Sequence, residues 1–167
     1  MKINYQDFIR PGKDISDIMP LFREGEVFSQ VIDEMVKPFM DVGVDKVVGI
    51  EARGFILAGA VAYRLKSGVV AVRKAGRLPG KVISKEIIDY SGKVKVLEIQ
   101  QDAIDQGERV IIVDDWFESG NQAKATAYLV EKLGGKIVGF SVIVDETNNK
   151  TKEFLNRYGY YYLYQDK

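Results

Sequence analysis

The chain has neither cysteine nor histidine among its 167 residues. Those two absences exclude Ser-His and Cys-His nucleophilic machinery, imidazole proton transfer and the usual zinc sites. Chemistry here falls to carboxylates, Lys, Arg, Tyr, hydroxyls, backbone amides or a hard metal. Disulfides are excluded too, which suits a cytoplasmic protein. Lys and Arg number 24 against 24 Asp and Glu, so a nucleic-acid partner has no bulk electrostatic support and none is expected. No apolar run is long enough to span a membrane. The N-terminal Met1-Lys-Ile-Asn-Tyr-Gln-Asp lacks the apolar core of a signal peptide. The four prolines and sixteen glycines are scattered, without a linker-like cluster. One compact domain over 1–167 is the expectation.

What is present alternates. Phe28, Ile32, Met35 and Phe39 mark one face of a helix from Glu26 to about Phe39. Lys46–Ile50 reads as a short buried strand, and Leu57, Val61 and Leu65 as a helix starting near Arg53 or Gly54. Val69–Val72 is a second buried strand, running into Arg73-Lys74. Val82–Val96 reads as two exposed strands around Ser91-Gly92, a projecting hairpin. Then follow a strand Arg109–Val113, a helix over 120–133, a strand Lys136–Val144, a short helix over 148–157 and a strand Tyr160–Leu163. Buried strands alternating with helices predict an α/β domain with a mostly parallel central sheet flanked by helices.

Ligands of such sheets bind at the carboxyl ends of strands, and three ends carry unusual chemistry. Gly49-Ile-Glu-Ala-Arg-Gly54 pairs a guanidinium with a turn that opens a helix. Its plain alternative is an ordinary βα turn with a solvated arginine. Val72-Arg-Lys-Ala-Gly-Arg77 puts three cations beside a glycine, or is simply a basic surface loop. At the third end, four β-branched residues, Val110 to Val113, run into Asp114-Asp115, then Trp116, Phe117 and a polar turn. Paired aspartates can merely cap a helix. Directly behind a buried strand, and ahead of a loop that opens a helix, they offer acceptors for a sugar diol next to amide donors for a phosphate. No G-x-x-x-x-G-K-[ST] or G-x-G-x-x-G loop is present.

These residues resemble the type I phosphoribosyltransferases, and among them the adenine phosphoribosyltransferases. The similarity runs through Pro11-Gly12 with Asp17-Ile-Met-Pro20, Val48-Gly-Ile-Glu-Ala-Arg-Gly-Phe55 and Val72-Arg-Lys-Ala-Gly-Arg-Leu-Pro-Gly80. It continues through Leu97-Glu-Ile-Gln100 with Asp102-Ala103 and Gly107, and ends at Val113-Asp-Asp115 with the loop 118–122. It implies that family's fold, with a small N-terminal hood (about 1–25) and a flexible catalytic loop (about 75–96). The implied substrates are phosphoribosyl pyrophosphate and a purine base, with Mg²⁺ as cofactor and a homodimer as the assembly.

By the same resemblance, Asp114 and Asp115 bind the ribose hydroxyls, and Glu118, Ser119, Gly120, Asn121 and Gln122 hold the 5-phosphate. Glu51, Ala52, Arg53, Arg73, Lys74 and Arg77 serve pyrophosphate, with a non-proline cis peptide at Glu51-Ala52. Asp14, Ile15 and Trp116 lie on the purine side. Asp89 is the positional match for the loop acid that assists the purine, Glu86 is its fallback, and Glu118 is a further candidate base. Mg²⁺ is expected to bind mainly through the substrate, with Asp114 and Asp115 as its nearest protein oxygens.

The loop Glu118-Ser-Gly-Asn-Gln122 departs from the common Ala-Thr-Gly-Gly-Thr, and Lys13-Asp14-Ile15-Ser16 replaces the usual aromatic and arginine. Three functions follow: adenine transfer in purine salvage, the same reaction on hypoxanthine, guanine or xanthine, or a non-catalytic regulator that binds the sugar phosphate or a nucleotide.

Overall fold

The computed structural model describes residues 3–12, 16–88 and 92–166. Asp14, Ile15 and Asp89 lie outside the described residues. The chain opens with a short 3-10 turn, Tyr5–Phe8, and two helices, α1 (Met19–Arg23) and α2 (Gly25–Val36). Then come β1 (Lys46–Ile50), α3 (Gly54–Leu65), β2 (Gly68–Lys74), β3 (Val82–Ile88) and β4 (Val94–Gln100). The second half is β5 (Arg109–Phe117), α4 (Asn121–Lys132), β6 (Lys136–Asp145), α5 (Asn149–Asn156) and β7 (Tyr160–Gln165).

The strands make one seven-stranded sheet in the order β3-β4-β2-β1-β5-β6-β7. From β2 to β7 the pairs are parallel, and β4 and β3 add an antiparallel edge. The central strands β1 and β5 are apolar on both faces because both faces are covered. Val48, Ile50, Val110 and Ile112 enter a core beneath α4, while Val47, Ile111 and Val113 enter a second core beneath α2 and α3. This alternation follows from the period of two along a strand.

Two expectations change. The hairpin does not project as two exposed strands. It extends the sheet and lies against α4, with Ile87, Leu97 and Ile99 buried. Only one side of each strand had to be apolar for that. Second, β5 does not stop at Val113 but runs on to Phe117, because β6 keeps pairing with it as far as Phe117↔Asp145. On its other side β1 pairs only up to Gly49↔Val113. The acidic pair therefore sits inside a strand, at the step where its shorter neighbour ends. That step opens the site.

Candidate active site

A cavity of about 500 Å³ lies over this step and gathers all three chemically unusual strand ends. Asp114 and Asp115 line it, although they are 7% and 5% exposed. Gly54, the first residue of α3, lets Asp114 come close: a Cβ there would stand 2.8 Å from Asp114 Oδ1. The Asp115 backbone N–H donates to Asp114 Oδ1 at 2.9 Å. Arg53 Nε lies 2.8 Å from Asp115 Oδ2, an ion pair whose alignment is not that of a hydrogen bond. Burial raises Asp114 well above the ordinary aspartate range, and the Asp115 charge raises it further. Burial raises Asp115 as well, against the opposing pull of Arg53. Two nearly dry carboxylates with spare lone pairs are strong acceptors for hydroxyl donors.

The first strand end supplies Glu51, Ala52 and Arg53 to the cavity wall, and the Glu51-Ala52 peptide is cis. From the second end only Lys74 lines the cavity. Arg73 and Arg77, expected to grip pyrophosphate, turn instead to Glu51, with nitrogens 3.2 and 2.9 Å from its Oε1. Lys74 N–H donates to Glu51 Oε2 at 3.0 Å. Glu51 is only 8% exposed, and two guanidiniums on one of its oxygens offset the cost of burying its charge. Burial pushes Glu51 up, but the Arg73 and Lys74 hydrogen bonds and the two guanidinium charges hold it below the usual glutamate range.

The third end supplies the loop. Glu118, Ser119, Gly120, Asn121 and Gln122 all line the cavity, and α4 starts at Asn121 with its first amides unpaired by the helix itself. A helix start of this kind suits a phosphate group. The loop is braced from behind by α5. Thr151, 1% exposed, donates from Oγ1 to the Ser119 carbonyl (3.1 Å) and accepts from Lys124 Nζ (2.7 Å). Thr151→Val keeps the shape but leaves the Ser119 carbonyl and Lys124 ammonium without that hydroxyl. Sugar-phosphate affinity is expected to fall roughly tenfold, read by calorimetric titration, with the affinity for a purine base unchanged.

Glu86, the fallback acid, is exposed and does not line the cavity, since strand alternation sends it to the face opposite Ile87. Glu118 stands exposed at the cavity mouth. Trp116 lines the cavity and donates from Nε1 to Glu146 Oε2 at 2.9 Å. Sequence reasoning missed Glu146, Asp166 and Lys95, which also line it. Glu146 and Asp166 follow the last residues of β6 and β7, so the strand-end rule that found the other sites would have reached them.

Beneath Glu146, Asp145 is fully buried and anchors the junction of β6 with α5. It accepts from Thr147 and Tyr160 hydroxyls, each at 2.6 Å, and pairs with Lys152 at 2.8 Å. Burial alone would raise its carboxyl, yet these partners hold it below the usual range. The Tyr160 phenol is pushed upward by its own burial and then by its hydrogen bond to Asp145. Among the described residues, no group of three or more His, Cys, Asp or Glu is placed to hold a metal ion.

The phosphoribosyl transferase domain family matches residues 14–163. An adenine phosphoribosyltransferase of Dinoroseobacter shibae is 45% identical over 139 residues, covering 83% of this chain and 77% of its own. The crystal structure of the Rhodothermus marinus adenine phosphoribosyltransferase superposes with a TM-score of 0.88 at 33% identity, covering 97% of this chain and 96% of that one. The Saccharomyces cerevisiae enzyme, solved with an imino-altritol bisphosphate and adenine, gives a TM-score of 0.78 at 32% identity, with 89% of each chain covered. With the match spanning nearly every element that builds the cavity, the chain belongs to the type I phosphoribosyltransferase family, within its adenine phosphoribosyltransferase group.

Proposed function

We propose that the chain transfers the phosphoribosyl group of phosphoribosyl pyrophosphate to adenine, yielding AMP and pyrophosphate in purine salvage. The observation that carries this reading is the buried Asp114–Asp115 pair, set between Arg53 and the start of α4. It matches a substrate that presents a vicinal diol between two phosphate groups, as phosphoribosyl pyrophosphate does. The bond from the anomeric carbon to pyrophosphate breaks, the bond to adenine N9 forms, and the N9 proton is lost. Asp114 and Asp115 accept from the ribose hydroxyls and fix the ring, and the loop 118–122 holds its far end. Arg53 and Lys74 meet the pyrophosphate and stabilise its charge as it leaves. Because the positive charge on the sugar peaks in the transition state, buried anions nearby favour that state over the substrate.

Magnesium fits this donor set. It prefers oxygen and keeps much of its water, so Asp114, Asp115 and substrate oxygens suffice without a dedicated protein cage. Bound, it would neutralise pyrophosphate. For the base, Glu118, Glu146 and Asp166 provide acceptors along the cavity for an exocyclic amino group, which adenine carries and hypoxanthine lacks. The yeast relative solved with adenine supports the same choice.

In the same reading, residues 1–25 serve as a hood and 75–96 as a lid of one catalytic unit, working as a cytoplasmic homodimer. Tyr161 and Tyr162 on β7 are 43% and 41% exposed and offer apolar area for a partner copy. Among the described residues no helix is long and apolar enough to cross a membrane.

The test is pyrophosphate release with Mg²⁺, phosphoribosyl pyrophosphate and each of adenine, hypoxanthine, guanine and xanthine. Adenine is expected to lead by roughly 100-fold or more in kcat/KM. Turnover of hypoxanthine but not adenine would reassign the base. Sugar-phosphate binding without turnover of any base would make the chain a regulator.

A further inference from the structure

We infer that Asn121 is a positioning residue that ties the β3–β4 hairpin to the phosphate loop, so that filling the loop and holding the hairpin over the cavity reinforce each other. This rests on the proposed role of the loop 118–122.

The hairpin is firm within itself, shares only a short edge with the rest of the sheet, and is held otherwise by what packs against α4. β3 and β4 share a ladder from Val82↔Gln100 to Ile88↔Val94, whereas β4 meets β2 along a short edge, at Arg73↔Glu98, Lys74↔Leu97 and the bond from Ala75 N–H to the Val96 carbonyl. A stiff two-stranded unit on so narrow a junction needs a second attachment to keep its place. Its inner side matters to the site, because Ile87, Lys95 and Leu97 line the cavity.

The second attachment is α4. Lys85 Nζ sits 4.4 Å from the centre of the Tyr128 ring, on the outer part of that helix. At the cavity end, Asn121 Nδ2 donates to the Ile88 carbonyl at 2.9 Å. Asn121 is also the first residue of α4, and its backbone N–H reaches Ser119 Oγ at a long 3.3 Å. One residue thus offers its amide to the loop and its side chain to the hairpin. A phosphate at the helix start would draw that amide and fix the Asn121 backbone, which presents Nδ2 to Ile88. By linkage, the docked hairpin then favours phosphate binding by the same factor.

The experiment is hydrogen–deuterium exchange on the full chain, following 82–88 and 94–100 with and without ribose 5-phosphate, beside calorimetric titration of that ligand. Asn121→Ala keeps the backbone amide and removes the tie. Asn121→Asp keeps the size but replaces the donor with an acceptor. Both are expected to speed hairpin exchange about fivefold, the scale of one such hydrogen bond, to blunt the slowing caused by ribose 5-phosphate, and to weaken its binding by a similar factor. Exchange in β1 and β5 should stay as in the parent.

Hairpin exchange unchanged in both variants, with ligand binding intact, would overturn the inference while leaving the proposed function standing. Faster exchange throughout β1 and β5 would overturn it as well, since that is general loosening. Failure of the parent chain to bind ribose 5-phosphate would overturn the inference, while pyrophosphate release with adenine decides the proposed function separately.

Discussion

Asp114→Asn is expected to yield a protein that melts higher than the parent and turns over almost nothing. Asp114 is buried, beside a second buried carboxylate, and the guanidinium of Arg53 lies against Asp115 rather than against it. Holding charge there opposes folding, and asparagine removes the charge at nearly the same volume. Such trade-offs at binding sites are commonly worth ~1–2 kcal/mol, or roughly 2–8 °C in Tm for a chain of this size. Catalysis loses an ionic acceptor whose value is greatest when the sugar carries positive charge, so kcat/KM should fall about 100-fold or more.

The pH dependence gives this prediction a sign. Both carboxyls are raised in the folded state, so the folded pair holds protons that the unfolded chain has released. The stability this pair contributes is full below the ordinary aspartate value of 3.8 and is lost as pH rises through the raised values. Glu51 and Asp145 are lowered and run the other way, losing stability as pH falls. Subtracting the parent's melting curve from the variant's cancels those shared groups. The Tm gain of Asp114→Asn should be near zero in acid and grow steadily above pH 4 or so. A gain that shrank with rising pH would contradict the assignment. The same protons must leave before the pair can accept from ribose, so the acid limb of kcat/KM for phosphoribosyl pyrophosphate should fall above the ordinary aspartate range.

Gly120→Ala is the second large effect, with the opposite result for stability. Gly120 has φ of 71°, where a side chain costs ~1–2 kcal/mol. A Cβ there would also collide with Cγ2 of Thr151. That methyl cannot swing aside cheaply, because Oγ1 of the same side chain is held by Ser119 and Lys124. Together these should cost about 2–4 kcal/mol, lower Tm by several degrees and all but remove sugar-phosphate binding. Thr151→Ser deletes the colliding methyl and keeps the hydroxyl. Added to Gly120→Ala, it should recover part of the loss, giving a favourable coupling in a double-mutant cycle. Strict additivity would show that the collision is not the cause.

Much of this site was legible because strand-end chemistry is local. Val110 to Asp115 announce a buried strand meeting a polar function, and the helical spacing behind Gly120 places α4. What was hidden depends on partners distant in the chain. Nothing near Arg73 or Arg77 shows that Glu51 will claim both guanidiniums across the β1–β2 step. The charge of Asp114-Asp115 reads as a strand terminus, yet β6 continues alongside and carries β5 to Phe117. The hairpin read as exposed because Ser84, Lys85 and Glu86 are exposed, although Ile87 across the pleat is buried against the cavity. Glu146 went unnoticed because the strand before it was read as ending at Val144, one residue short of Asp145, which is consumed by structure, held by Thr147, Lys152 and Tyr160.

The most direct measurement of the central claim is a calorimetric titration of Mg²⁺-phosphoribosyl pyrophosphate into the parent chain and into Asp114→Asn/Asp115→Asn. If the pair is the ribose anchor, the parent binds and the folded, more stable double variant shows no heat of binding. Equal affinity in the two proteins would contradict the account at its base.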